Sequence, residues 1–177
     1  MRSGVDGFLA KPLFASSVIG EFERIARRNN LSLFREKQRA ELTGRRILLA
    51  EDMEINAEIM MDVLDMEDIQ SEHAENGRIA VEMFKKSAPG YYDAILMDVR
   101  MPEMDGLEAA SAIRAIDRAD AKRIPIIALT ANAFDEDVQR SLQAGMNAHL
   151  SKPVEPDHLY QTLGELIFEA EAKNPLP

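Results

Sequence analysis

Residues 94–106 have the sequence AILMDVRMPEMDG, in which an apolar run ends at an aspartate, Asp98, and a loop then leads to Gly106. An unbroken apolar run is typical of a strand covered on both faces, as in a parallel sheet. Comparable runs occupy 47–50 and 124–129, and weaker ones occupy 69–74 and 148–150. The pattern therefore predicts five strands.

Helical patterns lie between these runs. In the first, Ile55, Ile59, Met60, Val63 and Leu64 are expected to share one apolar face; four more patterns span 79–84, 107–113, 138–142 and 159–167. Strands that alternate with amphipathic helices predict a doubly wound α/β domain. In such sheets ligands bind at the carboxyl ends of the strands, so the residues that follow each strand are the candidates for chemistry.

Composition limits the classes of function. The absence of cysteine excludes disulfides and thiolate metal sites. No apolar stretch approaches the ~20 residues that span a bilayer, and no secretory signal is recognisable, so a soluble cytoplasmic protein is expected. Residues 1–44 carry 8 Lys/Arg and 5 Asp/Glu, which leaves 13 and 26 for residues 45–177. A segment with such an excess of acidic residues repels nucleic acid, so direct DNA binding by residues 45–177 is not expected.

Polar residues follow four of the predicted strands. Glu51 and Asp52 follow the first, Asp98 the third, Thr130 the fourth and Lys152 the fifth. Carboxylates that meet at one edge repel one another unless a cation neutralises them, and Mg²⁺ takes such hard oxygen ligands. Acids, a hydroxyl and a lysine are what phosphoryl transfer to a carboxylate requires.

The same residues stand in a familiar order. The chain resembles the receiver domain of two-component response regulators, particularly those attached to hybrid sensor histidine kinases. The resemblance covers roughly the last three quarters of the chain and is carried by ILLAED at 47–52, Asn56, MDVRMPEMDG at 97–106, PIIALTA at 125–131 and GMNAHLSKP at 145–153. It implies a flavodoxin-like five-stranded parallel sheet of order 2-1-3-4-5 with five helices, preceded by a helical N-terminal extension.

The resemblance also implies a role for each matching residue. Asp98 would be the phosphoacceptor, Asp52 would bind Mg²⁺ directly, and Glu51 would do so directly or through water. The backbone carbonyl of Arg100 would be a further metal ligand. A haloacid-dehalogenase phosphatase would need an acid two residues after the nucleophile, where Arg100 stands and cannot serve.

Residues after the last two strands complete the implied site. Thr130 would hydrogen-bond the phosphoryl group and Lys152 would pair with it, with Lys152-Pro153 as a cis peptide. His149 stands where the family usually carries a Tyr or Phe that switches together with Thr130. An inert histidine on an edge strand is the alternative for His149.

Each of these residues, taken alone, has a structural interpretation. Asp98 alone could be a helix or turn cap. The Glu51-Asp52 pair could cap the helix that begins near Ile55, and Thr130 could cap a following helix. Lys152 could be a solvated lysine. Taken together, in the correct order and spacing, the residues favour the functional interpretation.

The N-terminus repeats the C-terminal motif. The sequence GVDGFLAKPL at 4–13 aligns with GMNAHLSKPV at 145–154, at a constant offset of 141. We therefore predict that residues 1–44 contain the last strand and helix of a preceding receiver-like domain plus a linker, that 45–170 form the receiver domain and that 171–177 are a tail. A homodimer or strand exchange through the N-terminal segment is a further expectation.

These observations predict a phosphoacceptor domain. Its donor would be phosphohistidine on a histidine kinase core or a histidine phosphotransfer domain, and its cofactor would be Mg²⁺. No turnover enzyme is expected in this chain, although the parent protein would be a histidine kinase and could be membrane-anchored. A docking module that is never phosphorylated and a stand-alone single-domain response regulator are the alternatives.

Overall fold

The computed structural model of the chain describes residues 15–132 and 135–173. The N-terminal motif at 4–13 lies outside the described residues. The chain divides into two compact units, Met1–Ala40 and Glu41–Pro177. The described part of the first unit belongs to one long helix, α1 (Ala15–Leu42), which ends inside the second unit. Within the described residues, no helix is both long and apolar enough to cross a membrane.

The second unit is a five-stranded parallel sheet with helices on both faces. Its strands are β1 (Arg46–Ala50), β2 (Gln70–Ala74), β3 (Ala94–Asp98), β4 (Ile126–Thr130) and β5 (Ala148–Ser151). Its helices are α2 (Glu54–Asp65), α3 (Gly77–Lys86), α4 (Gly106–Ala115), α5 (Asp135–Gln143) and α6 (Pro156–Ala172), with a 3-10 turn at Asp120–Lys122. The strand order is β2-β1-β3-β4-β5, so the predicted fold and order are confirmed.

Two cores lie on opposite faces of the sheet. Leu48 and Ile95 point into one core, where they pack with Phe84 of α3. Leu49 and Leu96 point into the other, which α2 and α6 cover. Every residue of β3 and β4 is buried, and this double coverage explains why both strands are continuously apolar.

Side chains define where two helices begin. The Asn76 carboxamide oxygen accepts the Ile79 N–H at the start of α3. At α4, Asp105 and Glu108 form a capping box, in which each side chain accepts the other residue's backbone N–H. Such caps satisfy N–H groups that have no partner inside the helix. They define the residue at which each helix begins, Gly77 for α3 and Gly106 for α4.

The predicted apolar face of α2 is wrong in part. Ile55 and Ile59 are 62% and 59% exposed, whereas Ala57 and Leu64 are buried. The buried stripe starts at Ala57 and recurs at helical spacing, and Ile55 and Ile59 lie about half a turn away from it. A pattern based on large apolar residues misses a small alanine that is buried in the core.

The domain boundaries at 45 and 170 stay predictions, but the structure adds two details. Leu42 is 1% exposed and packs in the core under α2 and α6. At the other end, α6 continues to Ala172, beyond the predicted start of the tail.

Candidate functional site

The strand ends bring three carboxylates together. One carboxylate oxygen from each of Glu51, Asp52 and Asp98 lies within 4.8 Å of the other two. Glu51 and Asp98 are buried and Asp52 is exposed. The three come from two neighbouring parallel strands, β1 and β3, whose carboxyl ends share one edge of the sheet. The arrangement concentrates negative charge at this edge of the sheet.

Lys152 neutralises part of that charge. Its Nζ lies 2.6 Å from Glu51 Oε2 and 2.8 Å from Asp98 Oδ2, so one ammonium bridges two acids. The peptide bond from Lys152 to Pro153 is cis, as the resemblance implied. Burial lowers the pKa of Lys152, but its hydrogen bonds to Asp98 and Glu51 outweigh burial and the pKa is raised. Lys152 is therefore not the solvated lysine of the alternative interpretation.

Both carboxylate oxygens of Glu51 accept hydrogen bonds. Its Oε1 accepts the Met53 N–H at 3.2 Å and the Asn56 amide at 3.4 Å, while Lys152 holds the other oxygen. Burial raises the pKa of Glu51, but Lys152 and these two donors outweigh burial and the pKa is lowered. Helix α2 begins at Glu54 with Met53 as its N-cap and without a side-chain cap, so neither Glu51 nor Asp52 is its N-cap.

Asp98 ends β3 under the start of α4. Its Oδ1 accepts the Arg100 N–H at 3.1 Å, a turn-type contact, and its Oδ2 faces Lys152. Burial raises the pKa of Asp98, the charge of Glu51 adds to the rise, and Lys152 and the Arg100 N–H oppose it; the pKa remains raised. A Cβ on Gly106 would collide with the Asp98 carbonyl oxygen, so this close approach requires glycine.

The remaining predicted residues surround this centre. Thr130 ends β4, and its hydroxyl donates to the Asn132 carbonyl at 2.7 Å and accepts the Asn132 N–H at 3.1 Å. His149 lies on the edge strand β5 opposite Ala128 and is partly buried. Thr130 is therefore bonded to its own loop, and its phosphoryl contact stays a prediction, as do the Arg100 carbonyl ligand and the His149 switch.

The donor set suits a hard cation. Glu51, Asp52 and Asp98 offer oxygen atoms only, and together they can hold a metal ion. Carboxylate clusters with room for retained water are typical of Mg²⁺ sites. The Lys152 ammonium leaves this part of the site less negative than three bare acids would be.

One contact was not predicted from the sequence. The Nε2 atom of His73, on β2, lies 2.7 Å from the backbone carbonyl oxygen of Glu51. Strand β2 has the sequence QSEHA, whose apolar signal is weak. Every residue has a backbone carbonyl, so the sequence does not indicate which carbonyl accepts a bond from the histidine. His73 therefore contacts the site through the backbone of Glu51.

Comparisons with known proteins agree with this geometry. The family model described as response regulator receiver domain matches residues 47–164. The chain is 33% identical over 137 residues to hybrid signal transduction histidine kinase I of Dictyostelium discoideum, a match that covers 76% of this chain and 8% of the kinase. The chain thus spans less than a tenth of that relative.

Two solved structures are also similar. The receiver domain of a sensor histidine kinase from Pseudomonas aeruginosa, solved with a magnesium ion in its active-site cleft, is 39% identical with a TM-score of 0.64, covering 71% of this chain and 99% of that one. The receiver domain of Saccharomyces cerevisiae Ssk1, crystallised with the histidine phosphotransfer protein Ypd1, is 32% identical with a TM-score of 0.63, covering 71% of this chain and 90% of that one.

Proposed function

The chain belongs to the response regulator receiver domain family, with a role in phosphorelay signalling, and on that premise we propose that Asp98 accepts its phosphoryl group with Mg²⁺ bound by Glu51, Asp52 and Asp98. The observation that carries the proposal is the Lys152 ammonium bridging Glu51 and Asp98 beside Asp52. A purely structural turn would need neither the ammonium nor the second and third acids.

The chemistry follows from the environment of each group. The ionised carboxylate of Asp98 attacks phosphorus, the bond from phosphorus to the donor imidazole nitrogen breaks, and the electron pair stays on that nitrogen. Lys152, released from Asp98, then faces the phosphoryl oxygens as a cation. Bound Mg²⁺ would supply further positive charge for these oxygens.

Thr130 would respond to the new group. Its hydroxyl now bonds the Asn132 backbone, and the proposed contact with a phosphoryl oxygen requires that bond to open. The 130–132 loop would then move together with Thr130. His149, on the strand next to β4, is the residue proposed to register the change, with an inert edge-strand histidine as the alternative.

The proposed phosphodonor is a phosphohistidine on a histidine kinase core or a histidine phosphotransfer domain. The exposed face of α2 supports a docking surface for it beside the acids. Met53, Ile55, Ile59 and Met66 are each more than half exposed, and Met53 directly follows Asp52. Ile55 and Ile59 lie four residues apart and so share one side of the helix, and exposed apolar residues that lie together mark interaction sites. The similar receiver domain of Ssk1 was crystallised with a phosphotransfer partner of this kind.

Residues 1–44 are proposed to contain the last strand and helix of a preceding receiver-like domain plus a linker. Helix α1 begins at Ala15 and α6 begins at Pro156, and these positions differ by the same 141 residues as the two motifs. Apolar residues at 18, 19, 22, 25 and 26 of the sequence then align with α6 residues 159, 160, 163, 166 and 167. A parent gene that encodes no aspartate-bearing half-domain upstream would refute this proposal.

Mass spectrometry tests the phosphoacceptor directly. The pure protein, mixed with Mg²⁺ and a small phosphodonor such as acetyl phosphate, is expected to gain one phosphoryl group. Asp98→Asn should prevent the gain, whereas Asp105→Asn, which alters the nearby cap of α4, should leave it in place. No adduct on the wild type would favour a docking module, and an adduct on Asp98→Asn would show that another residue is the acceptor.

A further inference from the structure

His73 contacts the backbone of the acid cluster. In the parallel pairing of β1 and β2 it lies opposite Leu49, whose side chain packs in the core under α2 and α6. Paired positions on neighbouring strands point to the same side, so His73 lies on the α2 side of the sheet. Its Nε2 is 2.7 Å from the Glu51 carbonyl oxygen. Because a carbonyl only accepts, Nε2 carries the proton and donates it.

That carbonyl belongs to the peptide between Glu51 and Asp52. A peptide is planar, so fixing its oxygen fixes the direction in which the chain enters Asp52. On the other side of Glu51, its N–H donates to the Ala74 carbonyl at 3.1 Å. Strand β2 thus holds both backbone groups of Glu51, one through Ala74 and the other through His73.

Asp52 depends on this backbone more than the other two acids do. Glu51 and Asp98 are buried and bonded to Lys152, whereas Asp52 is exposed. An exposed side chain is directed mainly by the backbone that carries it. A change in the peptide before Asp52 would therefore turn its carboxylate away from the other two.

We propose that His73 is a positioning residue for the cation site: its Nε2–H bond to the Glu51 carbonyl holds the Glu51–Asp52 peptide so that the Asp52 carboxylate faces Asp98. The inference rests on the proposed Mg²⁺ site. His73 touches no reacting atom and acts only through the peptide. Groups that orient metal ligands in this way commonly change metal affinity by about 10–100-fold.

Calorimetric titration with MgCl₂ measures the effect without any phosphodonor. His73→Leu removes the donor at similar volume and is expected to raise the Mg²⁺ dissociation constant about 10-fold, the lower end of the range for groups that orient metal ligands. His73→Gln keeps an N–H donor and should stay within about 2-fold of the wild type. At saturating Mg²⁺, all three proteins should reach the same extent of phosphorylation.

Glu72→Gln is the matched control on the same strand. The Glu72 carboxylate accepts the hydroxyls of Tyr91 and Tyr92, so it lies on the other face of β2, and its loss perturbs the strand without touching Glu51. Its Mg²⁺ dissociation constant should equal that of the wild type. A loss of affinity as large as that of His73→Leu would assign the effect to general loosening of the strand and overturn the inference.

The outcomes separate this inference from the proposed function. A wild type that binds no Mg²⁺ would refute the proposed function itself. A wild type that binds Mg²⁺, with His73→Leu binding equally well, would overturn the role of His73 alone. Should circular dichroism show His73→Leu unfolded, His73→Val takes its place, since valine favours strands and lacks a donor. If both variants are unfolded, His73 serves sheet stability and the positioning role is wrong.

Discussion

At the scale of the residue, Lys152 compensates two buried acids. Replacing it by methionine in Lys152→Met leaves Glu51 and Asp98 side by side without their shared cation. Removing one partner of a buried ion pair is destabilising, and because Lys152 is about one quarter exposed we expect a reduced cost of about 1–3 kcal/mol at pH 7 without metal.

Thermal unfolding with and without Mg²⁺ checks this expectation. The melting temperature of Lys152→Met should be lower than that of the wild type in the absence of metal, and Mg²⁺ should raise it by more than it raises the wild type. Lys173→Met, which loses only a 3.8 Å surface pair with Glu169, should melt like the wild type. Equal melting of wild type and Lys152→Met would show that the ammonium does not offset the acids.

A second ion pair predicts a pH dependence away from the site. Asp120 accepts two bonds from Arg118, at 2.6 and 2.8 Å, and the Gly90 N–H. Burial raises the pKa of Asp120, but these donors outweigh burial and the pKa is lowered below 3.8. A carboxyl with a lowered folded-state pKa stabilises the fold above its unfolded pKa, and that stabilisation is lost as the pH falls through the folded value.

Asp120→Asn should therefore lower the unfolding free energy by about 1–2 kcal/mol at pH 7, since it removes charge-assisted hydrogen bonds. The difference from the wild type should shrink as the pH falls below about 3.8, the unfolded value. Urea unfolding at a series of pH values measures the difference. A constant gap from pH 7 to pH 3 would contradict the assigned cause.

The sequence was sufficient for the residues that follow strands. Glu51 and Asp98 stand directly after apolar runs and Lys152 stands two residues after one, and parallel strands end at one edge, so their proximity could be expected. His73 could not be found in this way, because its partner is a backbone carbonyl. The bond from Thr130 to Asn132 depends on the local path of the loop, which residue order alone does not determine.

At the scale of the element, α2 shows which features of a helix the hydrophobic periodicity of the sequence predicts and which it does not. Its position, its length and its place between β1 and β2 follow from the pattern, but its buried face does not. Ala57 is buried against the core, and a pattern of large apolar residues gives it less weight than Ile55 or Ile59. Both isoleucines consequently lie on the solvent-exposed side of α2, the helix that follows Glu51 and Asp52 in the chain.

The exposed face of α2 gives a prediction about phosphotransfer. The double variant Ile55→Lys/Ile59→Lys should reduce the rate of transfer from a phosphorylated histidine phosphotransfer protein by about 10-fold, the effect of losing about 1.4 kcal/mol of docking. Stability should change by less than about 0.5 kcal/mol, because both side chains are already exposed.

The controls separate docking from chemistry. Labelling by acetyl phosphate should be unchanged in the double variant, because a small donor needs no docking surface. Leu31→Lys/Leu33→Lys makes the same change at two exposed leucines of α1 and should leave both reactions unaltered. Transfer at the wild-type rate by Ile55→Lys/Ile59→Lys would exclude this face of α2 as the docking surface.

At the scale of the whole molecule, the point where the receiver begins is a question of packing. The predicted start at residue 45 lies between Gly44, whose φ is +79°, and β1, which begins at Arg46. The compact unit instead begins at Glu41, and Leu42 is buried in its core. A single leucine at the end of a charged helix carries little sequence signal, although it fills space under two helices.

Two truncated chains distinguish these starts. A chain of residues 41–177 should unfold at the same urea concentration as the full chain and accept phosphate on Asp98 to the same extent. A chain of residues 45–177 loses the Leu42 side chain and the bond from the Gly44 N–H to the Asp68 carbonyl, at 2.8 Å. Its unfolding free energy should fall by about 2–4 kcal/mol, the range of emptying one buried leucine site. Equal unfolding free energies of the two truncated chains would show that the burial of Leu42 does not stabilise the domain.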